Sequence, residues 1–442
     1  MTYIPQVIFL LIFSASVYYI VKKIGIIRSN ILLGKPAERS DRPMERLKVM
    51  TKVALGQKKM FKKPIPAILH LFIYIGFIIV NIEILEIVID GLFGTHRVLA
   101  GPLGNIYPWL INVFEFFALS VLLACVVFLA RRNIVKVDRF KGEEMTAWPK
   151  LDANIILIAE IFLMIAFLSM NAADSILQER GHPHYASTGS FFFSGFLIPL
   201  FSSLGDNQLV IIERFCWWFH IIGVLAFANY VFWKSKHLHI FLAFPNTYYS
   251  KLTPFGEFPN MNSVTKEVKL MLNIPGEGAD TESGSEPGKF GANDVQDLSW
   301  KNLMDAYSCT QCGRCTQQCP ANITGKKLSP RKIVMDTRTR LEEVGENLRK
   351  NGPDFKDGKT LLDDYITYEE LLACTTCNAC VEACPVNIDP LNIIMQLRQY
   401  KIMESSEAPG SWNAVFSNIE NNLAPWKFSP ADRASWINKL NS

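Results

Sequence analysis

The signatures that most soluble enzymes carry are missing from this chain of 442 residues. No Gly-x-Gly-x-x-Gly fingerprint follows a strand-like run, which excludes the dinucleotide-binding fold built on that turn. No Gly-x4-Gly-Lys-Ser/Thr loop offers a phosphate cradle, and no nucleophile triad is evident. Net charge is scarce too: 45 Lys and Arg against 41 Asp and Glu leave +4, too little to suggest nucleic acid. Cysteine is rare over most of the length, where Cys125 and Cys216 stand alone in apolar runs and read as small packing residues.

What is abundant is apolar surface. The hydrophobic fraction is 49% and the mean hydropathy is positive, so part of the chain belongs in lipid. Apolar runs at about 3–21, 66–89, 107–130, 152–171 and 208–233 approach or exceed the roughly 20 residues a helix needs to span a bilayer. The first ends in Lys22-Lys23 with no small-residue cleavage site and no basic start, and is read as a retained helix. Thirteen basic residues from Lys22 to Lys63 face three acids, and Arg131, Arg132, Lys136, Lys234 and Lys236 mark the ends of spans three and five. The positive-inside rule then puts the N-terminus outside and everything after span five in the cytoplasm, with the chain in the inner (cytoplasmic) membrane. The aromatic stretch over 187–200 lies in an outer loop and fits an interfacial segment, because a sixth span would break this charge pattern.

Eight cysteines fall in two identical runs: Cys309-x2-Cys312-x2-Cys315-x3-Cys319-Pro320 and Cys374-x2-Cys377-x2-Cys380-x3-Cys384-Pro385. Within-run disulfides are disfavoured by the tight spacing and by the reducing compartment. Structural zinc would use Cys-x2-Cys pairs rather than triplets followed by Cys-Pro. Three thiolates two residues apart wrap three corners of a cubane, and in two-cluster ferredoxins the fourth cysteine of each run ligates the other cluster. That rule assigns Cys309, Cys312, Cys315 and Cys384 to a first 4Fe-4S cluster and Cys374, Cys377, Cys380 and Cys319 to a second. The expected fold is all-α: a five-helix transmembrane bundle over 1–240, a linker over 241–297 whose part from 275 is acidic and rich in Gly and Ser, an α-helical two-cluster ferredoxin domain over 298–405, and a tail over 406–442.

The run from Ser308 to Pro320, then Leu328-Ser329-Pro330-Arg331, then Ala373 to Pro385 resembles the helical ferredoxin domain of heterodisulfide reductase C subunits. The five-span part, with His70, His220 and His237, resembles the respiratory nitrate reductase gamma subunit and the membrane subunit of heterodisulfide reductase. That resemblance implies b-type haem, one or two, between helices two and five, and exchange with a menaquinone-type quinone. His70 near the inner end of span two would pair with His237. His220, some 25 Å further out, lacks a partner on span two, where Val80 and Asn81 stand. In a continuous helix His237 and His239 are each rotated about 100° from His220, which sets them toward a different neighbour. Arg214 is a candidate for a haem propionate or quinone, with Glu213 or a headgroup as plainer partners, and Glu83, Glu86, Glu115 and Glu160 are candidates for quinol protons. His96, His182 and His184 read as solvated loop residues, with His182 and His184 beside a quinone entrance.

The expected function is therefore electron transfer without a substrate site of its own: quinol, haem b, two clusters and a cytoplasmic partner in series. Heterodisulfide reductase relatives use a Cys-Cys-Gly type module that this sequence does not contain, so an iron–sulfur or dehydrogenase subunit of that type is the expected partner, besides membrane lipid. The competing expectation is a haem-free membrane tether for a ferredoxin module.

Overall fold

The computed structural model describes residues 3–274, 289–427, 429–432 and 434–440. Helix accounts for 71% of it, and among the described residues the only β pairing is two isolated bridges. The labelled helices are α1 (Ile4–Ile31), α2 (Pro43–Met50), α3 (Pro64–Phe93), α4 (Tyr107–Asn133), α5 (Trp148–Glu179), α6 (Asp206–Lys234), α7 (His239–Tyr248), α8 (Trp300–Ser308), α9 (Pro330–Asn351), α10 (Pro390–Gln399) and α11 (Gly410–Asn422).

Helices α1, α3, α4, α5 and α6 are the five long and apolar enough to cross a membrane. Four of them carry Pro in the first turn, where no intrahelical N–H bond is lost. They close a ring in which each touches two neighbours, in the order α1, α3, α4, α5, α6. Small residues allow the close approaches: a Cβ at Gly91 of α3 would lie 2.6 Å from the Phe9 ring of α1, and one at Gly223 of α6 would lie 2.6 Å from Leu163 of α5. Phe9 in turn packs on Trp217 and Trp218 of α6, closing the ring with aromatic contacts.

The ferredoxin part sits directly on one end of this ring, with parts of the 241–297 linker packed between them. Helix α7 packs on α8, with Asn246 donating to the Val386 carbonyl (2.9 Å) and accepting from Lys301 Nζ (3.0 Å). Residues 289–297 are packed as well, with Ala292 and Val295 fully buried. The span 275–288, where the acidic Gly/Ser-rich composition falls, lies outside the described residues. Ile31, Val231 and Leu238 from the bundle end share one core with Val295, Leu303, Tyr307 and Ile333. Polar clamps reinforce it: Asn30 donates to the Tyr307 hydroxyl (2.8 Å), and Lys35 and the Leu298–Trp300 segment exchange backbone bonds of 2.8 and 3.0 Å. Helix α11 buries no residue completely, while Glu407 at the start of the tail accepts from the Tyr368 hydroxyl through its carbonyl (2.7 Å) and pairs with Lys401 (2.9 Å).

Candidate electron-transfer site

The two cysteine runs repeat in backbone as well as in spacing. Cys309 and Cys374 are both extended, each at the C-terminal end of a helix. Two positive-φ residues follow in each run, Gln311 and Gly313 in one, Thr376 and Asn378 in the other. This curl folds the chain back on its first thiol: Gln311 N–H points at Cys309 Sγ (3.4 Å) and Thr376 N–H at Cys374 Sγ (3.5 Å). A short helix then presents the third thiol, and the fourth cysteine returns to extended geometry before its proline. The two short helices pack on each other, which brings each fourth cysteine to the opposite run.

Cys309, Cys312, Cys315 and Cys384 line one cleft, together with Arg314, Arg331 and apolar walls from Val334, Val386 and Ile388. Cys319 lies with Cys374 and Cys380. Cys384 of the second run thus stands with the first three cysteines of the first run, and Cys319 of the first run with the second. Burial pushes the Cys309 thiol up to about 11 and the Cys384 thiol to about 12, so these groups need a cationic centre to become thiolates, as iron provides. Of the eight, only Cys377 is exposed.

At the same end of the bundle, His70 stands across from His239, with ring centroids 6.4 Å apart. His70 Nδ1 is 3.2 Å from Gln57 Oε1, and His239 Nδ1 is 3.1 Å from the Lys236 carbonyl, so both rings are anchored through Nδ1. The sequence pairs His70 with His237; in the structure His237 lies beside His239, 5.3 Å between ring centroids, and is acted on by His70 as well. Helix α6 ends at Lys234, Ser235 is extended (ψ 149°), and His237 falls in a short turn against Phe227, 5.7 Å between centroids. The break at Ser235 invalidates the 100° per residue projection that assumed a continuous helix. The extended Ser235 was hidden because its hydroxyl and the Lys236 N–H are held by Asp152 of α5 (2.8 and 3.1 Å), a contact no local pattern reveals.

His220 is buried mid-helix, its Nδ1 3.0 Å from the Leu163 carbonyl and its Nε2 without a partner. Arg214 is paired with its neighbour Glu213 and lies over the Trp217 ring at 5.4 Å. Glu213 also accepts from Tyr185 (2.8 Å).

The bundle end opposite the cysteines holds a buried polar network. Arg97 donates to Asp174 (2.6 Å), Asn171 (2.9 Å) and the Tyr107 hydroxyl (3.3 Å), and Tyr107 donates to Glu86 (2.8 Å). Glu115 accepts from Asn171 (3.0 Å) and from the Phe193 and Ser194 amides (2.9 and 3.1 Å), so the aromatic loop over 187–200 folds onto the bundle. Glu83, 2% exposed, leaves Oε2 without a partner. His96 is not solvated as expected: its side chain is 11% exposed, 3.5 Å from Asp174, while His184 is exposed. Glu160 is half-buried on α5, apart from this network.

These features are those of a helical protein with five membrane-length helices and cysteine runs of iron–sulfur type. A model of the 4Fe-4S dicluster domain matches residues 308–388. The chain is 28% identical over 458 residues to the "Probable iron-sulfur-binding oxidoreductase FadF" of Bacillus subtilis, covering 97% of this chain and 60% of that protein. It is 25% identical over 427 residues to the "EtfAB:quinone oxidoreductase" of Syntrophomonas wolfei, covering 91% and 55%. The C subunit of a ferredoxin/F(420)H(2)-dependent CoB-CoM heterodisulfide reductase from Methanosarcina acetivorans is 33% identical over 107 residues, 24% of this chain and 52% of that subunit. The chain therefore spans less than two thirds of the length of its first two relatives. No solved structure matches it.

Proposed function

We propose that this chain is the membrane electron-transfer part of a quinone-linked oxidoreductase, working between a menaquinone-type quinone and a cytoplasmic Cys-Cys-Gly-type iron–sulfur or dehydrogenase partner. The observation that carries the reading is the docking of the first cysteine loop onto the histidine turn. Lys236, next to His237, bonds Gln311 between Cys309 and Cys312 (3.1 Å), and Arg314 bonds the carbonyl of Lys59 (3.0 Å) in the segment whose Gln57 anchors His70. A tether would need no such contact. The printed name of the Syntrophomonas relative supports quinone as the lipid-soluble carrier.

The residues fit haem b at the histidine pair. His70 and His239, with ring centroids 6.4 Å apart, would hold it, and it would supply one-electron chemistry there. Both rings have Nδ1 tied back, which leaves Nε2 as the ligating atom. His220 has the same form, a tied Nδ1 and a free Nε2, and is our candidate for a second haem or for quinone. Bound 4Fe-4S clusters and haem supply one-electron steps between two-electron quinone chemistry and the partner. Glu83 and Glu86, in the far-end network, are assigned to the protons that quinone redox exchanges with solvent. The cysteine end faces the cytoplasm and the far end the outside, as the basic loops argue.

The test is menaquinol reduction of the purified, cluster-loaded protein, followed by cluster EPR and by the reduced minus oxidised haem spectrum. Quinol-dependent reduction with a b-type signal that disappears in His70→Ala supports the reading. Loaded clusters with no haem signal and no response to quinol would leave the tether.

A further inference from the structure

We propose that the protein holds cluster 1, the one on Cys309, Cys312, Cys315 and Cys384, at a higher reduction potential than cluster 2 through an unequal distribution of fixed charge. An electron that enters at Cys377 then runs downhill toward the bundle. The inference rests on the crossed ligand sets and is independent of haem and quinone.

A reduced cluster carries one more negative charge than an oxidised one, so nearby cations favour reduction and anions oppose it. Arg314 and Arg331 line the cluster 1 cleft and are 6% and 1% exposed. Arg139 and Lys63 act on Cys312, Lys59 on Cys384, and Lys236 on Cys309. Two of these cations are offset: Arg331 by Glu144 (2.7 Å) and Lys236 by Asp152 (3.7 Å). The others form no ion pair; Glu382, which is paired with Lys62, also acts on Lys59. Arg314 is held by the Lys59 carbonyl, Lys59 by the Val381 carbonyl (3.4 Å) and Lys63 by the Gln317 side chain, while Arg139 lies over the Phe140 ring.

Cluster 2 has a different surrounding. Arg398 donates to the Cys374 carbonyl (2.9 Å), and Asp389 acts on Cys380 as an opposing anion, itself acted on by Lys301 and Lys251. Nearby Lys62 is paired with Glu382, so it adds no net charge. Amide donors are three against two: Gln311 N–H points at Cys309 (3.4 Å) and Ile388 (3.3 Å) and Val386 at Cys384 on cluster 1, against Thr376 at Cys374 (3.5 Å) and Val381 at Cys380 on cluster 2. Exposure of Cys377 favours reduction of cluster 2, but at one corner of four. The transfer balances simply: reduced cluster 2 loses one electron and oxidised cluster 1 gains it, with no proton or bond change.

The experiment is an EPR-monitored dithionite titration of the full-length, cluster-loaded chain. Cys312→Ser and Cys377→Ser assign the two transitions, and Cys384→Ser tests the crossed sets by altering the same transition as Cys312→Ser. Cluster 1 is expected to be reduced first, with at least a tenfold difference in reduced-to-oxidised ratio at one potential, about 59 mV. Lys59→Gln with Lys63→Gln should lower the cluster 1 midpoint and leave cluster 2 in place. Asp389→Asn, whose side chain still caps α10 at Asn392 N–H, should raise the cluster 2 midpoint. Equal midpoints, a reversed order, or a cluster 1 midpoint indifferent to the lysine pair overturns the proposal. A Cys384→Ser effect that follows Cys377→Ser instead overturns the crossed assignment.

Discussion

Replacing Arg331 with Met should uncouple the ferredoxin part from the bundle end, because this side chain is the buried pin between them. Its guanidinium is 1% exposed and donates to Glu144 from two nitrogens (3.1 and 2.7 Å) and to the Arg139 carbonyl (2.5 Å). Glu144, with its side chain 12% exposed, also accepts from Ser329 (2.6 Å), so the clamp joins the start of α9 to the loop between α4 and α5. Charge-assisted bonds contribute about 1.5–3 kcal/mol each, but they share one ion pair and do not add. The relevant scale is a buried pair broken on one side, about 3–5 kcal/mol, most of it the carboxylate left without a countercharge. Urea titration of the detergent-solubilised protein, followed by cluster absorbance, measures the loss for Arg331→Met, Glu144→Leu and the double variant. The double variant should recover at least about 1.5 kcal/mol of the summed single losses, since the two groups are directly coupled. A loss under about 1 kcal/mol for Arg331→Met, or strict additivity in the cycle, would refute the pin.

Two further outcomes follow from the geometry. His239→Ala should abolish the b-type haem signal in a pyridine haemochrome assay while His237→Ala retains it, and the reverse result would restore the pairing of His70 with His237. The Arg340 guanidinium holds the Asp357 carboxyl down at about 2 against an ordinary 3.8, so Asp357 contributes about 2 kcal/mol that is fully present above pH 4 and lost as pH falls through 2. Asp357→Asn should therefore show a constant deficit in urea melts between pH 7 and 5, read by far-UV ellipticity, and a deficit already fading at pH 6 would contradict it.

The cysteine runs and the five spans were legible because their physics is local. A cubane needs thiols two residues apart, and a bilayer needs about 20 apolar residues in succession, so spacing and run length suffice. Even the curl of the cysteine loops leaves a trace, since Gly313 and Asn378 are residue types that tolerate positive φ. Arg214 was half legible: its adjacent partner Glu213 was among the alternatives, and only side-chain geometry shows the two paired. The packing of His96 against Asp174, 78 residues away in sequence, left no local mark.

By itself, then, the sequence determined that this protein carries two four-thiol sites of cubane spacing behind five lipid-length helices, since both are written in distances along the chain. Tertiary structure alone decided how the two parts meet. Helix α6 stops at Ser235 because Asp152 of another helix holds the turn, and that break puts His239 opposite His70. Lys59 acts on Cys384, and Lys63 and Arg139 on Cys312, because loops from distant parts of the chain close over one end of the ring. Fields and axial ligands depend on distance through space, and only folding sets that distance.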